Sequence, residues 1–272
     1  MNEILHTSHS LTENSEKIFG INKRWIELIH LLVQRDLRVR YRGSVLGYLW
    51  SMLNPLLYMI ILSLVFSHIA KVKTEDYALF ILAGIMTWNF FHQSINIGMN
   101  SIVGSAHLLK KVSIPGLLFP TASVFGVLIN FVLSFIPFIL ISLGLGHGLS
   151  YKMLFVPLFM VIYFGFVWGA ATTIATINVK YRDVGHAMES FMQMLFYATP
   201  VVYPASTLPD KYRFIIDLNP MSYFIAIFRG LLISNEFPTS RQIITVCLFS
   251  FASSLIGYLI YQKYREEFIY SL

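Results

Sequence analysis

The stretch Arg35-Asp-Leu-Arg-Val-Arg-Tyr-Arg-Gly-Ser-Val-Leu-Gly-Tyr-Leu-Trp-Ser-Met-Leu-Asn-Pro55 begins with a cluster of arginines and then becomes apolar. The cluster consists of Arg35, Arg38, Arg40 and Arg42, and the apolar sequence continues to about Ala70. Arginine is costly in hydrocarbon and is attracted to anionic lipids on the cytoplasmic side of a membrane. The stretch therefore predicts the start of a membrane helix that its arginines hold at the cytoplasmic surface.

The composition of the whole chain also indicates membrane insertion. Of its 272 residues, 56% are hydrophobic and only 12% are charged, whereas soluble domains carry about 25% charged residues. The net charge of +6 could indicate a nucleic-acid partner. Basic cytoplasmic loops of a membrane protein explain this charge better, so we predict no binding to nucleic acid.

The sequence before the first apolar stretch divides into two parts. Residues 1–20 are polar, lack the apolar core of a cleavable signal, and are predicted to form a flexible cytoplasmic tail. Residues 21–42 are predicted to form an amphipathic interface helix, with Trp25, Leu28 and Leu32 on one face. This helix could be a plain surface anchor or could also contact a cytoplasmic partner, and residues 43–272 would form the transmembrane domain.

We predict an all-α integral membrane protein with six transmembrane helices. The helices fall at about 46–70, 78–99, 117–144, 153–178, 186–202 and 241–262, since about 20 apolar residues span a bilayer. An even number of spans places both termini on the cytoplasmic side. The distribution of lysine and arginine agrees with this, because most of them fall on the predicted inner side.

Two connections differ from ordinary loops. Residues 100–115 contain Leu108 and Val112 on one side and Lys110 and Lys111 beside them, which predicts a short cytoplasmic helix able to enter a groove of another protein. Between spans five and six, Asn219-Pro220 has the chemistry of a helix start, and the apolar run 221–233 is too short to cross. We predict re-entrant extracytoplasmic helices here, with 221–233 paired with the segment broken at Pro200.

The sequence carries no pattern typical of an enzyme or of a nucleotide-binding site. It has no Walker A pattern, no zinc-type Cys/His spacing and no nucleophile elbow, and only Glu189 is an acid near a span. We therefore predict no catalytic residue, no metal and no cofactor in this chain. The scarcity of buried acids also argues against transport driven by protons.

Aromatic and amide side chains recur on the predicted spans. Trp50, Asn54 and Tyr58 lie at intervals of four residues, and Gln193, Phe196 and Tyr197 lie together on span five. They could stabilise helix packing or could line a path on which sugar rings stack while hydroxyl groups meet amides. Span two carries a polar stripe, which favours hydrogen bonds between helices and consists of Asn89, His92 or Gln93, Asn96 and Asn100. Gly165 and Gly169 favour close helix packing.

Arg229 is a cation near the end of a mostly apolar segment. It could extend to the outer lipid head groups, or it could bind the phosphate of a lipid-linked substrate at the exit.

Several motifs together resemble a known family. They are Gly43–Trp50, Asn54-Pro55, Lys110–Pro115, Tyr181-Arg182-Asp183, Asn219-Pro220 and Phe228-Arg229. In this order and spacing, from about residue 22 to the end, the chain resembles the permease subunits of type 2 ABC exporters for polysaccharides. One departure is Gly116, where the family often has a basic residue.

The resemblance implies a half-transporter, two copies of which form a homodimeric channel. Two separate cytoplasmic ABC ATPase subunits would dock on this channel and would hold ATP and Mg. The substrate would be a polyprenyl-pyrophosphate-linked polysaccharide, such as O-antigen, capsule or teichoic acid, crossing the bacterial cytoplasmic (inner) membrane. Arg229 would serve the exit gate. The channel would be lined by Trp50, Asn54, Tyr58, Gln193, Phe196, Tyr197 and Tyr203. Coupling to the ATPase would use Arg35, Arg38, Arg40, Arg42, His107, Leu108, Lys110, Lys111 and Val112.

Two alternatives stay open at the level of sequence. The same architecture could export a small hydrophobic drug or another lipid. A membrane enzyme acting on a lipid-linked sugar would need paired acids near the interface, which the sequence does not show.

Overall fold

A computed structural model describes residues 23–47, 49–68, 77–112, 114–146, 148 and 150–268. Within these ranges every long regular element is a helix and no strand occurs. The α-helices, numbered α1 to α11 in chain order, are Lys23–Tyr41, Leu49–His68, Tyr77–Gly104, Ala106–Lys111, Leu118–Leu133, Phe135–Gly144, Val156–Lys180, Val184–Ala198, Arg213–Leu218, Pro220–Arg229 and Ser240–Tyr264. The all-α prediction is confirmed, whereas the predicted tail 1–20 lies outside the described residues.

Within the described ranges, four stretches are long and apolar enough to cross a membrane. They are Tyr77–Lys111, Leu118–Gly144, Tyr151–Lys180 and Ser240–Tyr264, and they match predicted spans two, three, four and six. A fifth crossing would be possible if the bent pair Asp210–Leu218 and Pro220–Ser234 formed one span. Predicted spans one and five therefore stay predictions, although helices occur at both places.

The helix at predicted span five is shorter than the sequence suggested. Helix α8 has 15 residues and ends at Ala198, just before Pro200. At 1.5 Å per residue it is about 22 Å long, which is less than the roughly 30 Å of bilayer hydrocarbon. Residues 199–203 continue without regular helix, so the apolar sequence up to 202 extends beyond the helix itself.

Aromatic side chains from four helices form the centre of the main core. Tyr163 of α7 is fully buried against Phe90, Phe131, Phe224 and Phe228, with ring centroids 4.6 to 6.4 Å apart. Its hydroxyl group donates to the carbonyl of Thr87 at 2.7 Å. The polar end of this tyrosine is therefore satisfied inside the core, and α3, α5, α7 and α10 are joined around it.

Helices α7 and α11 cross at small residues. Cβ atoms added at Gly165 and Gly169 of α7 would meet Ser250 and the backbone of Ser253 on α11. The hydroxyl groups of Ser250 and Ser253 donate to carbonyls of α7 at 2.7 Å. The prediction that Gly165 and Gly169 serve close helix packing is confirmed.

A second apolar cluster joins the segments at the arginine-rich end of the bundle. Leu32, Val33 and Leu37 on α1 are buried there, and Leu108 and Leu109 of α4 pack against the same cluster. Tyr261 and Phe268 near the C-terminus complete it. One side of helix α1 therefore packs on the bundle, while Leu31 and Val39 are exposed. The amphipathic interface helix predicted for residues 21–42 stays a prediction.

Candidate functional site

Helix α3 lies between α2 and α8, the two helices that carry the predicted channel-lining residues. Trp88 of α3 makes an edge contact with Phe196 of α8, with ring centroids 5.4 Å apart. On the other side, Trp50 and Asn54 of α2 border the same cavity as Gln93 of α3. The structure thus places the two predicted rows on either side of one helix.

Most residues of these rows are exposed in the single chain. The exposed fractions are 41% for Trp50, 60% for Tyr58 and 68% for Tyr197. Asn54 and Gln193 are exposed as well, whereas Phe196 is half-buried. We call the surface formed by these residues and the adjoining face of α3 the aromatic–amide face.

Helix α3 contributes polar groups to the aromatic–amide face. His92 and Asn96 are partly buried and share a hydrogen bond of 3.1 Å, while the Asn96 Oδ1 atom has no hydrogen-bond partner among the described residues. The Asn178 amide of α7 donates to the carbonyl of Met99 at 3.0 Å and to the Oδ1 atom of Asn100 at 3.4 Å, so Asn100 of the predicted stripe takes part in a hydrogen bond between helices. The exposed amides of this face, Asn54 and Gln193, would be costly against lipid, so the face suits contact with water, ligand or another polypeptide.

A polar cavity of about 400 Å³ opens at one end of this face. Asn130 of α5 and Arg40 and Tyr41 of α1 line it together with residues of α2 and α3. Asn130 was missed at the level of sequence, although a single amide in the apolar run 117–144 was a signal for it. Its Oδ1 atom accepts a hydrogen bond from the Tyr41 hydroxyl group at 3.2 Å.

At the opposite end of the bundle, Arg229 is buried, with an exposed fraction of 9%. Its guanidinium group donates to the carbonyls of Phe80 at 3.2 Å and Pro200 at 2.7 Å, and also to that of Val201. The group stacks on the Phe80 ring at 3.4 Å from the centroid. The side chain therefore does not extend to lipid head groups, and each of its three nitrogen atoms donates to a backbone carbonyl.

One further hydrogen bond connects the irregular segment 199–203 to the start of α10. The Asn219 Oδ1 atom accepts a hydrogen bond from the backbone amide of Met221 at 3.0 Å, which confirms the predicted helix start. The Asn219 side-chain amide donates a hydrogen bond to the Thr199 hydroxyl group at 2.7 Å. The structure thus places the 220–234 helix against the segment broken at Pro200, as predicted. Tyr203 donates to the carbonyl of Tyr197 at 2.9 Å, and partial burial raises the pKa of Tyr203, so that it stays a neutral donor.

The carbonyl contacts of Arg229 lead to a prediction about stability. Arg229→Met should lower the unfolding temperature strongly, because it leaves the buried carbonyls of Pro200 and Val201 without this charged donor and removes the bond to Phe80. Hydrogen bonds to a charged group contribute about 1.5–3 kcal/mol each. The thermal unfolding midpoint of the purified chain in detergent measures this. The control is Arg241→Met at an exposed position, and equal losses in the two variants would contradict the role of Arg229.

The predicted coupling residues gather at the arginine-rich end. Arg35 binds Asp36 at 2.7 Å and donates to Ser105, next to α4, at 3.4 Å. Leu108 of α4 packs against the second apolar cluster. The other predicted coupling residues are exposed or partly buried. Exposed are Arg38, Arg42, His107, Lys110, Lys111 and Val112, and partly buried are Arg35 and Arg40.

The site offers hydrogen-bonding and aromatic groups rather than metal ligands. Among the described residues, no three His, Cys, Asp or Glu side chains lie close enough together to hold a metal ion. What the arrangement can do is to bind polar or ring-shaped molecules along a helix surface through stacking and amide hydrogen bonds.

Comparisons with known proteins show the family of this chain. Residues 27–233 match the family model described as ABC-2 type transporter. The chain is 31% identical over 247 residues to an O-antigen export system permease protein of Myxococcus xanthus, covering 90% of this chain and 95% of the relative. A relative of the same description in Klebsiella pneumoniae is 29% identical, covering 89% and 93%. A polysialic acid transport protein of Escherichia coli is 19% identical, covering 92% and 96%. The chain therefore belongs to the ABC-2 type transporter family and is a membrane permease homologous to polysaccharide exporters.

Proposed function

We propose that this chain is the transmembrane subunit of an ATP-driven exporter that moves a polyprenyl-pyrophosphate-linked polysaccharide across the bacterial cytoplasmic membrane. Two copies would enclose a channel, and both termini of each would lie in the cytoplasm. Two separate ABC ATPase subunits would bind and hydrolyse ATP. The names of the relatives and the polar character of the aromatic–amide face support this proposal.

The observation that carries the proposal is the exposure of aromatic rings and amides on α2 and α8, the helices at predicted spans one and five. Trp50, Tyr58 and Tyr197 expose between 41% and 68% of their surface, next to exposed Asn54 and Gln193. A second copy facing this surface would enclose a path lined by rings and amides. Sugars stack on rings and bond to amides through hydroxyl groups, and several weak contacts let a polymer move on.

The arginine-rich end fits a role in coupling to the ATPase. Helices α1 and α4 are distant in sequence but share one apolar cluster, so a push on either is transmitted to the other. The exposed groups His107, Lys110, Lys111 and Val112 would meet the ATPase, while Leu108 anchors α4 to the bundle. A partner pressing on α4 would therefore move α1 and the start of α2 with it.

This arrangement predicts the effect of reversing two charges. The double variant Lys110→Glu/Lys111→Glu should uncouple the ATPase, with about tenfold less ATPase subunit copurified, because like charges replace complementary ones at a contact surface. Copurification and substrate-stimulated ATP turnover measure the effect.

The control for this pair is Lys211→Glu/Arg241→Glu, which makes the same charge change at exposed positions predicted to lie outside the membrane. If the Lys110/Lys111 variant assembled and its ATP turnover still responded to substrate, the docking role would be wrong.

The proposed function is tested in cells that lack this chain. We expect lipid-linked polymer to accumulate inside the cells and to be missing from the surface, because synthesis continues without export. Extraction of the polyprenyl-linked fraction and surface staining measure the two pools. A normal surface coat without internal accumulation would contradict polysaccharide export and would favour a small hydrophobic drug or another lipid as the substrate.

A further inference from the structure

The polar cavity at the junction of α1 and α2 has features of a ligand site. Its volume of about 400 Å³ falls in the range of about 300–1,000 Å³ typical of small-molecule pockets. Arg40 and Ser44 line it from α1 and the following turn, and Trp50 from α2. Gln93 of α3 and Asn130 of α5 form the opposite walls.

Arg40, which lines the cavity, carries a donor atom without a partner among the described residues. The Arg40 Nη1 atom is buried and makes no hydrogen bond to the described residues. A buried charged donor left unpaired is costly, so it favours an acceptor from outside the chain. Among the described residues, none that lines the cavity is acidic, and Asp36, one turn earlier on α1, is already bound by Arg35 at 2.7 Å. The cavity is therefore positively charged.

Neutral groups around Arg40 are also arranged as donors. The Asn130 Oδ1 atom accepts from Tyr41, which leaves the Asn130 amide nitrogen as the group available to a ligand. The Ser44 Oγ atom accepts from the amide of Gly47 at 3.0 Å, which leaves its hydroxyl hydrogen free to donate. Donors from three separate elements thus border one cavity, and such a set suits an anion with several acceptor oxygens.

We propose that this cavity binds the sugar-phosphate head group of an amphipathic glycolipid. Arg40, Ser44 and Asn130 bind the phosphate oxygens, and the Trp50 ring packs against the adjoining sugar. The cavity lies where the aromatic–amide face begins, so a head group bound here stands at the start of the proposed path. The identification of the ligand as an exported substrate rests on the proposed function, whereas the binding of a sugar phosphate does not.

The binding test uses the full-length chain in phosphatidylcholine nanodiscs. The probe is radiolabelled farnesyl diphosphate linked to N-acetylglucosamine, and we expect saturable binding. Arg40→Gln should weaken binding about tenfold or more, because it removes a charge-assisted hydrogen bond. Arg38→Gln changes the same charge at an exposed position of the same helix and should alter binding less than about twofold. Equal losses in both variants would overturn the assignment to the cavity.

A second variant tests the site independently if Arg40→Gln does not fold. Asn130→Asp keeps the side-chain size and places a carboxylate among the donors, so binding of the anionic probe should fall at least as far. Monodisperse elution and an unchanged unfolding temperature show that the variant is folded. Undiminished binding to folded Asn130→Asp would overturn the proposal.

Competition separates the possible sources of the phosphate. Unlabelled farnesyl diphosphate without the sugar should compete several-fold more weakly than the glycosylated probe, and inorganic phosphate more weakly still. Phosphatidic acid competing as well as the probe would overturn the sugar-phosphate assignment in favour of a general phospholipid site. Absence of probe binding to the unaltered chain would overturn the site but not polysaccharide export, which the polymer pools of cells lacking the chain test separately.

Discussion

Gly169→Ala is expected to prevent recovery of folded protein. A methyl group at this position of α7 would overlap the backbone carbonyl group of Ser253 and the amide nitrogen of Ser254 on α11. Backbone atoms cannot rotate away as a side chain can, so the two helices would have to separate. Separation would break the hydrogen bonds of Ser250 and Ser253 to α7 carbonyls, which are 2.7 Å long. The yield of monodisperse protein after detergent extraction measures the effect.

The matched control is Gly126→Ala in α5, which makes the same change in another predicted membrane helix. An added Cβ at Gly126 meets no atom within 4 Å, so the variant should be recovered like the unaltered chain. Recovery of Gly169→Ala at the same yield and unfolding temperature as Gly126→Ala would show that α7 and α11 do not depend on this close approach.

Features encoded by local pattern were predictable from the sequence. The pair Gly165 and Gly169 indicated the helix crossing, and Asn219-Pro220 indicated the start of α10, because spacing and capping chemistry act over a few residues. The short helix 106–111 was likewise indicated by an apolar side and a following Pro115. The apolar runs located the helices, although the end of α8 at Ala198 depends on Pro200 and on contacts made by residues 199–203.

Features built from distant residues were not predictable in the same way. Arg229 is surrounded by the carbonyls of Phe80, Pro200 and Val201, which are at least 28 positions away in the sequence. The hydrogen bond between Tyr41 and Asn130 joins residues 89 positions apart. Local pattern identifies an unusual polar residue in an apolar run, but only the packing of helices shows which partners satisfy it.

Gly116, where the family often has a basic residue, packs against the ring of Phe268. The resemblance implies a basic residue at this place, but a Cβ atom on Gly116 would lie 3.1 Å from the ring of Phe268. Phe268 also contacts Tyr261, with ring centroids 5.9 Å apart, and belongs to the cluster that holds α1 and α4. The C-terminal segment thus occupies the space that a larger side chain would need, and the coupling prediction here depends on Lys110 and Lys111 instead.

The double variant Trp50→Ala/Tyr58→Ala is expected to reduce the amount of exported polymer about tenfold or more while the complex with the ATPase stays assembled. Each aromatic contact contributes about 1 kcal/mol, and the two rings lie on the same exposed side of α2. Because both side chains are substantially exposed in the single chain, their loss should cost little folding stability. Surface polymer and copurified ATPase subunit are measured on the same cells.

Tyr258→Ala provides the control, because it removes an aromatic side chain of 44% exposure from α11, which packs on α7 rather than on α2 or α8. It should leave surface polymer near the level of the unaltered chain. Unchanged export in the Trp50/Tyr58 variant would refute the channel-lining role of α2. Loss of both surface polymer and copurified ATPase subunit would show that these rings support assembly instead. Residues that only line the channel should not affect docking of the ATPase at the arginine-rich end.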